Sequence, residues 1–326
     1  MSALARSVDA LLEATVVGSF SRVGYGVRAR LGGWPEADRR RDLRGKTVLV
    51  TGATSGIGLA TAMRCAQLGA TVRFLARDGG RAEQAKARIE QAAGHDVDVA
   101  YDLADMSDFA SLRAFAARLS ASNPRLDVLV HNAGALSRSF SRAPDGSELT
   151  LASHVLGPFL LTGLLLPALR VGAPARVITV SSGGMYTQGL DLAELELHAD
   201  GYDGKVAYAR AKRAQVVLNR EWARRVRPDE IVFHAMHPGW ADTPGVVSGL
   251  PGFHRVMRPL LRTPEEGADT VVWLASTDEA LGSTGSFWLD RRRRSEHRVP
   301  WTRGGDGDAL WALCRQRTGW EGPLRS

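Results

Sequence analysis

The chain has 326 residues, of which 44% are hydrophobic and 24% charged, and this composition excludes a largely disordered protein. Its formal net charge is +7, but no zinc-finger or RNA-binding signature accompanies the basic residues, so we expect no nucleic-acid partner. Two cysteines, Cys65 and Cys314, lie far apart without CxxC spacing, so the sequence predicts no disulfide and no metal site. No run approaches the roughly 18 apolar residues of a membrane span, and we expect a cytoplasmic protein.

The first 44 residues form a separate segment, which we predict to be a helical extension. Its apolar residues recur at helical spacing, at Leu4, Val8, Leu11, Leu12 and Val16. Charged residues interrupt this run, which argues against a signal peptide. The pattern favours an amphipathic helix that docks on the main domain or on a second subunit, and peripheral contact with a membrane surface is the alternative.

Strand and helix patterns alternate from residue 45 to residue 290. Apolar strands rich in Val, Ile and Leu are predicted at residues 46–52, 71–77, 97–103, 126–134, 175–182, 231–239 and 285–290. Helical patterns lie between them, at residues 56–70, 79–94, 108–121, 148–170, 206–226 and 264–276. Strands that are apolar on both faces need helices on both faces, so we predict a single α/β domain with a doubly wound parallel sheet.

The remaining residues, 291–326, are predicted to be a basic C-terminal extension with a short helix around Ala309–Arg317. The two basic runs of the chain, Arg39–Arg41 and Arg291–Arg294, lie outside the periodic segments. Runs of like charge are usually solvated, so we expect both to be exposed loops.

The stretch TGATSGIG follows the first predicted strand and opens the first predicted helix. Gly52 permits a tight turn, Gly56 lets the backbone approach a phosphate, and Gly58 allows close packing of the helix. The N-terminus of that helix presents free N–H groups to a pyrophosphate. The sequence therefore predicts a dinucleotide site, with contacts from Gly52, Thr54, Ser55, Gly56, Ile57 and Gly58.

The second predicted strand ends at Arg77, where a carboxylate would bind a ribose 2′-hydroxyl. A guanidinium there is suited to a 2′-phosphate, so NADP(H) is favoured over NAD(H), although Asp78 follows and favours the opposite. Asp102, with Leu103, ends the third strand and is positioned to bind the adenine amino group. The fourth strand ends in the small residues that a cofactor ring needs nearby, Asn132, Ala133 and Gly134.

Of the tyrosines near the middle of the chain, Tyr208 is the one best placed to act as an acid. Tyr208 and Lys212 are four residues apart in a predicted helix and share a face. A phenol has a pKa of about 10, which a neighbouring ammonium and a nicotinamide cation would lower. Tyr186 and Tyr202 lie in loops without such a partner. The fifth strand delivers Ser181 and Ser182 to the carboxyl edge of the sheet, where a hydroxyl can hold a substrate carbonyl.

Taken together, the motifs TGATSGIG, NAG, VSS, YARAK and HPGWADT, in this order, resemble the short-chain dehydrogenase/reductase family over residues 45 to 290. The resemblance implies a Rossmann fold and an NAD(P)-dependent oxidoreductase. More narrowly, RVITVSSGGM, MHPGWADTPGV and PGFH resemble the dehydrogenase/reductase SDR family member 12-like group.

The resemblance also implies a role for each matching residue. Tyr208 would be the general acid/base, Lys212 its partner and a ribose ligand, and Ser182 the hydroxyl that orients the carbonyl. Asn132 would form a wall of the adenosine site. Pro238 and Gly239 would pass beside the nicotinamide, with Thr243 near its carboxamide.

The chain departs from the family pattern at His154, where the family has an asparagine that holds a water in the proton relay. An imidazole can both donate and accept, so His154 either holds the same water, with a pH dependence that asparagine would lack, or is a packed core histidine.

These observations predict NADPH-dependent reduction of a lipophilic ketone or aldehyde, or the reverse oxidation of a secondary alcohol. An apolar region after the HPG motif would form a lid, with Trp240, Pro251, Phe253 and Val256. The alternative is an NADP-binding scaffold or sensor with weak or no catalysis, because of His154. Pairing of two copies through their long helices is expected by analogy with the family alone.

Overall fold

The centre of the molecule is a sheet of eight strands in the order β3-β2-β1-β4-β5-β6-β7-β8. The computed structural model describes residues 3–34, 38, 41–122 and 125–324. The strands are β1 (Thr47–Thr51), β2 (Thr71–Ala76), β3 (Val99–Leu103), β4 (Val128–His131), β5 (Ala175–Val180), β6 (Ile231–Met236), β7 (Ser286–Leu289) and β8 (Arg292–Arg293). Neighbouring strands are parallel except β7 and β8. The predicted parallel sheet is confirmed, and the eighth strand is an addition to it.

Helices cover both faces of this sheet. They are α1 (Ala3–Glu13), α2 (Val16–Phe20), α3 (Arg22–Leu31), α4 (Gly56–Gln67), α5 (Gly79–Ala93), α6 (Phe109–Ser122), α7 (Leu149–Val171), α8 (Gly204–Arg225), α9 (Pro244–Gly249), α10 (Pro251–Met257), α11 (Pro264–Ser276) and α12 (Gly307–Thr318). The buried side chains form one core with α4, α5 and α11 and another with α6, α7, α8 and α12. The chain order reverses between β1 and β4, which opens a ligand crevice at the carboxyl ends of these strands.

Helix α7 is the most apolar element of the core. By length and composition alone it could cross a membrane, but 83% of its apolar window is buried inside the molecule. The sequence predicts one regular helix here, whereas residues Ala152–Leu156 form a π-helical turn. Such turns insert one residue into a helix and often lie at functional sites. His154 lies within this one.

Helices α1 to α3 pack on each other and dock on the same chain, which is one of the predicted alternatives. The docked face is not the apolar one that the spacing indicates. Leu4 and Leu11 are 67% and 73% exposed, while Asp9 is 6% exposed. Asp9 accepts hydrogen bonds from Arg28 (2.7 Å) and from Arg294 (2.6 Å), so α1 is held by ion pairs.

The expectation that the basic runs are exposed is wrong for Arg291, Arg294 and Arg41, whereas Arg293 is exposed; Arg39 and Arg40 lie outside the described residues. The Arg291 side chain is 5% exposed and pairs with Asp38 and Asp269. The Arg294 side chain is 9% exposed, and so is that of Arg41. The carboxylates paired with Arg291 and Arg294 come from distant parts of the chain, whereas Arg41 pairs with Asp38 three positions earlier. The predicted C-terminal helix is present as α12.

Candidate active site

Three of the predicted catalytic side chains meet at the carboxyl end of β5. Ser182 follows that strand directly, and its hydroxyl forms a hydrogen bond with the Tyr208 phenol. Lys212 lies one turn further along α8, and its Nζ is 5.4 Å from the centre of the Tyr208 ring. Nζ donates to the carbonyl oxygen of Val180 at 2.8 Å. Strand β5 and helix α8 thus hold a hydroxyl, a phenol and an amine together.

The other two candidate tyrosines are engaged elsewhere. The Tyr202 hydroxyl donates to the Glu148 carboxylate at 2.8 Å, and the Tyr186 hydroxyl donates to the carbonyl oxygen of Ser295 at 2.9 Å. Burial raises the pKa of each of these two phenols to about 12. Neither hydroxyl is therefore free to act on a substrate.

The electrostatics of the Ser182, Tyr208 and Lys212 cluster differ from the expectation. Burial raises the pKa of Tyr208, and the hydrogen bond with Ser182 only partly offsets this. Burial also lowers the pKa of Lys212 to about 7. The lysine is thus only partly charged near neutral pH, which limits its ability to lower the pKa of the phenol. The lowering of the Tyr208 pKa that the sequence predicts depends on a nicotinamide cation as well as on Lys212, and it stays a prediction.

His154 presents one unpaired nitrogen to the Lys212 side of the cluster. Its Nδ1 lies 3.1 Å from the carbonyl oxygen of Thr150, which can only accept, so Nδ1 carries the hydrogen. Its Nε2 is then an acceptor, and it is buried without a partner among the described residues. A Cβ on Gly134 would lie 2.7 Å from this Nε2 and 3.5 Å from Lys212 Nζ. Gly134 therefore leaves a space that both nitrogens border.

The pKa of His154 is lowered to about 3, mainly by burial and secondarily by Lys212. The imidazole is therefore neutral at any ordinary working pH. This low pKa argues against the pH dependence that the sequence suggests for a histidine here, which stays a prediction.

A cavity of about 20 Å³ lies behind His154, between β4, β5, β6, α7 and α8. Its lining includes four residues that each carry a buried polar atom without a partner among the described residues, namely His131, His154, Gln215 and Asn219. A space of this size admits about one water molecule, and such polar atoms normally bind one. No local sequence pattern indicates this cavity, because its walls come from five separate strands and helices.

The glycine-rich turn has the shape that a phosphate site requires. Gly52 has a φ of +70°, and a Cβ there would lie 2.8 Å from the Cα of Ala133. The Asn132 amide donates to the carbonyl oxygens of Thr51 and Gly52, both at 3.1 Å, and so ties β4 to the turn. No side chain of the described residues caps the following helix, α4. Its first N–H groups are therefore available to an anion.

The charged residues at the carboxyl ends of β2 and β3 differ in how far they are paired with other groups. The Arg77 side chain is 72% exposed and 3.9 Å from Asp105. Asp78 caps helix α5, where its carboxylate accepts from the Arg81 N–H at 2.7 Å. Asp102 is less free than expected, because it lies 3.4 Å from Arg73 and 3.6 Å from Arg118. Leu103 beside it is exposed.

The loop after β6 reaches back to the glycine-rich turn. Gly239 has a φ of +75°, and its N–H donates to His237 Nδ1 at 3.3 Å. Thr243 caps helix α9, and its methyl carbon would lie 3.3 Å from a Cβ on Gly56. The predicted nicotinamide loop, Pro238 to Thr243, and the predicted phosphate turn thus lie side by side.

The region predicted to form a lid consists of two short helices, α9 and α10. Trp240 and Phe253 pack edge to face with ring centres 5.2 Å apart, while Val256 is exposed. Sequence reasoning missed a further aromatic neighbour, Phe20, whose ring centre is 5.9 Å from that of Trp240. It also missed Arg262, which lies against Gly239. Neither residue has a local motif that could have identified it.

With this geometry established, comparison with known proteins identifies the class. The family model described as short chain dehydrogenase matches residues 46–249. The chain belongs to the short-chain dehydrogenase/reductase family, and it is an NAD(P)-dependent oxidoreductase.

Individual relatives agree with this class. The chain is 40% identical over 261 residues to human (Homo sapiens) dehydrogenase/reductase SDR family member 12, covering 80% of this chain and 81% of that one. It is 36% identical over 285 residues to human retinol dehydrogenase 14, covering 81% and 82%. It also matches the solved RhlG/NADP active-site complex of Pseudomonas aeruginosa with a TM-score of 0.62 and 27% identity, over 76% of this chain and 94% of that one. The predicted resemblance to family member 12 is confirmed.

Proposed function

We propose that the chain is an NADPH-dependent reductase of lipophilic ketones or aldehydes, which also oxidises the corresponding secondary alcohols. The observation that carries the proposal is the meeting of Ser182, Tyr208 and Lys212 at the mouth of the crevice that holds the glycine-rich turn. A phenol and a hydroxyl that converge beside a dinucleotide crevice are suited to polarising a carbonyl and protonating its oxygen.

The residues of the crevice fit a dinucleotide. The uncapped N-terminus of α4 and the turn at Gly52 and Gly56 suit a pyrophosphate. Lys212 and Asn132 border the next part of the crevice, and Pro238, Gly239 and Thr243 border its far end. When bound, the nicotinamide supplies a hydride to the carbonyl carbon or accepts one from the alcohol carbon.

In reduction, Ser182 holds the carbonyl oxygen of the substrate and Tyr208 donates the proton to it. The raised pKa of Tyr208 suits this direction, since a phenol with a high pKa stays protonated at neutral pH. In oxidation the same group must first lose its proton. We therefore expect the oxidation rate to rise with pH through the alkaline range, while the reduction rate does not.

Lys212 and His154 form the next part of the proton path in this proposal. A water beside Gly134 would accept from Lys212 Nζ and donate to the unpaired His154 Nε2. His154 would then be a working member of the relay and not only a packed core histidine. The neutral imidazole supplies an acceptor, as an amide oxygen would.

The preference for NADPH rests on Arg77. Its guanidinium is exposed at the tip of β2, while the Asp78 carboxylate is turned toward helix α5 as its cap. The RhlG relative is an NADP complex. Replacing Arg77 with Met should weaken NADPH binding about 10- to 100-fold, the value of a charge-assisted hydrogen bond, and leave NADH binding unchanged. Nicotinamide fluorescence titrations measure both, and equal losses for the two cofactors would remove Arg77 from this role.

The substrate class rests on the aromatic residues beside the crevice. Trp240 and Phe253 lie in and after the loop that follows β6, and Phe20 packs on Trp240. Apolar walls of this kind favour a lipophilic substrate over a sugar. Relatives named retinol dehydrogenases support the same class.

The test of the proposal combines binding and turnover. Purified protein is titrated with NADPH and then screened with lipophilic ketones and aldehydes. Tyr208→Phe should retain NADPH binding and lose turnover by about 10²- to 10⁴-fold, the contribution of a positioned acid. Tyr202→Phe is the matched control and should keep its activity. Undiminished turnover in Tyr208→Phe would overturn the assignment.

The scaffold alternative makes a different prediction for position 154. Restoring asparagine there should raise turnover strongly if the site is degenerate, and it should leave turnover unchanged or lower it if His154 works in the relay. Homo-oligomer formation and cytoplasmic location stay predictions.

Membrane contact through the N-terminal helices is a second, separate proposal. The exposed side chains of α1 to α3 include Leu4, Leu11, Val16, Val17, Val23 and Leu31. Apolar groups on the outside of a basic protein suit an anionic lipid surface. Sedimentation with anionic vesicles should recover the wild-type protein and less of a Leu4→Gln/Leu11→Gln variant. Val171→Gln, at an exposed position outside these helices, is the control, and equal recovery of all three would exclude the contact.

A further inference from the structure

We propose that Arg28, in helix α3, is a positioning residue for the Pro238–Gly239 loop, on which it acts through Asp290. This inference rests on the proposed function, since the loop matters only if it borders the nicotinamide. It makes the N-terminal helices a part of the cofactor site and not an appendage to it.

The loop rests directly on the guanidinium of Arg262. Arg262 Nη1 donates to the carbonyl oxygen of Pro238 at 3.3 Å. A Cβ on Gly239 would lie 2.2 Å from Arg262 Nε, so the backbone at Gly239 is in contact with the guanidinium plane. The main chain beyond the loop is also attached, because the Arg262 N–H donates to the carbonyl oxygen of Trp240 at 2.7 Å. The position of this guanidinium therefore sets the position of the loop.

Asp290 holds Arg262 in that position. Its two carboxylate oxygens accept from Arg262 Nη1 at 2.6 Å and Nη2 at 2.9 Å. Arg28 Nη1 donates to the same carboxylate at 2.6 Å. The side chains of Asp290 and Arg262 are each 1% exposed and that of Arg28 is 4% exposed. In such a dry environment, loss of one partner leaves the others incompletely paired and forces them to move.

Arg28 is fixed in turn by the N-terminal helices. Its Nε donates to Asp9 at 2.7 Å, and its Nη1 donates to the carbonyl oxygen of Ser19 at 3.0 Å. Arg262 Nη2 donates to the same carbonyl oxygen at 2.9 Å. The carbonyl oxygen of Ser19 thus accepts hydrogen bonds from both guanidinium groups. The docking of α1 to α3 and the placement of the Pro238–Gly239 loop therefore depend on the same contacts.

Phe20 provides a second contact between the same segment and the same loop. Its carbonyl oxygen accepts from the Trp240 N–H at 2.8 Å. Its ring centre lies 4.3 Å from that of His237, with the rings at 87°. The N-terminal segment therefore holds the residue before and the residue after Pro238–Gly239. A Cβ on Gly183 would lie 3.2 Å from the Phe20 ring, so the contact extends to the turn after Ser182.

These contacts predict a selective effect on cofactor binding. The loop borders the nicotinamide end of the crevice in this proposal, whereas Arg77, directly after β2, and Asp102, near the end of β3, lie at the adenosine end. Disturbing Arg28 should weaken ligands that reach the loop and leave ligands of the adenosine end unaffected. A general loss of folded protein would weaken both.

The test uses the full-length protein and two ligands, NADPH and adenosine 2′,5′-bisphosphate, which lacks the nicotinamide half. The variants are Arg28→Met, which removes the guanidinium, and Arg28→Lys, which keeps a cation. Arg170→Met is the matched control, because Arg170 pairs with Glu230 at 2.9 Å and donates to a carbonyl oxygen at 2.8 Å, but lies in the last turn of α7, away from the loop. Dissociation constants are measured by calorimetry on protein shown to be folded by its near-ultraviolet circular dichroism.

We expect Arg28→Met to raise the NADPH dissociation constant about 3- to 30-fold, with the bisphosphate unchanged, and Arg28→Lys to show a smaller change in the same direction. Arg170→Met should alter neither ligand. Unchanged NADPH binding in both Arg28 variants, or equal losses for the two ligands, would overturn the inference. If Arg28→Met fails to fold, Arg28→Lys decides by the same comparison. A wild-type protein that binds neither ligand would overturn the proposed function itself.

Discussion

Lys212 and Arg28 are both buried cations, but only Arg28 is surrounded by carboxylates. Arg28 pairs with Asp9 at 2.7 Å and with Asp290 at 2.6 Å. Lys212 donates to the carbonyl oxygen of Val180, and within residues 3–34, 38, 41–122 and 125–324 no carboxylate forms an ion pair with it. The buried charge of Arg28 is thus paired with carboxylates, whereas Lys212 is buried without such a pair.

The pKa values follow this difference. Burial alone would raise the pKa of Asp290, but Arg262 and Arg28 hold it below its ordinary value, so the cluster stays ionised. Burial without a partner lowers the pKa of Lys212 to about 7. The Asp290 carboxylate therefore stays ionised near neutral pH, whereas Lys212 can exchange a proton there. A pKa near the working pH is what a proton relay requires, and it comes at a cost in stability.

The largest expected effect tests the paired site. Asp290→Asn should lower the free energy of unfolding by about 3–5 kcal/mol, since it leaves the buried guanidinium of Arg262 without a charge partner and removes one of the partners of Arg28. Asparagine tolerates the φ of +52° at this position, so backbone strain adds little. Because the pKa of Asp290 is lowered by folding, its stabilisation is present above about pH 4 and fades as the pH falls further. Urea unfolding at pH 7 and pH 3.5 measures the effect.

Asp229→Asn is the matched control for this experiment. Asp229 pairs with Arg227 at 2.5 Å, but both side chains are exposed, and its loss should cost far less stability than the loss of Asp290. Equal losses of stability in Asp290→Asn and Asp229→Asn would contradict the proposed contribution of the buried ion cluster to stability.

The next effect tests the unpaired site. Lys212→Met should abolish turnover, yet leave the protein equally stable or more stable by about 1–4 kcal/mol at neutral pH, because an uncompensated buried charge is removed. The folded pKa of about 7 lies below the ordinary lysine value of 10.5, so the cost of burying Lys212 is complete below pH 7 and disappears as the pH rises toward 10.5. The gain from Lys212→Met should therefore shrink between pH 7 and pH 9.5 in urea unfolding.

Lys46→Met is the control for the lysine experiment. Lys46 Nζ lies 3.0 Å from Asp127, whose side chain is 1% exposed, so this lysine has the partner that Lys212 lacks. Its removal should destabilise the protein at both pH values. A destabilised Lys212→Met protein at both pH values would contradict the assignment of an unpaired charge.

The smallest expected effect concerns His154, another buried basic residue. Its pKa of about 3 keeps it neutral, and asparagine offers a similar acceptor. His154→Asn should therefore change kcat by less than about tenfold, or 1.4 kcal/mol, and leave the shape of the pH–rate profile between pH 5 and 9 unchanged. A limb near pH 6.5 in the wild type that disappears in the variant would show that His154 titrates after all.

Much of the fold and part of the site could be predicted from the sequence, because those parts depend on local patterns. The glycine-rich turn lies between a strand and a helix that periodicity reveals, and Tyr208 and Lys212 share a helix face through their spacing alone. Ser182 follows from the end of the preceding strand. In each case neighbours in the chain are also neighbours in space.

The buried ion cluster could not be predicted, because its members are far apart in the chain. Arg28 and Asp290 are separated by 262 positions, and only the folded molecule brings them together. For the same reason, the sequence predicts a solvated side chain at Arg291, although Asp38 and Asp269 pair with it in the folded molecule. The sign of the Tyr208 pKa shift also depended on burial, which the helix spacing does not contain.

The docking of α1 to α3 has a kinetic consequence. These helices precede the sheet in the chain, yet Glu13 binds Arg298, 285 positions later, and Arg28 binds Asp290. Helices α1 to α3 therefore find these partners only after strands β1 to β7 have been synthesised. Contacts between such distant positions form slowly, because closing a long loop costs conformational entropy before the contacts contribute any stability. We expect the docking of α1 to α3 on residues 290–298 to be a late step of folding, after the sheet has assembled.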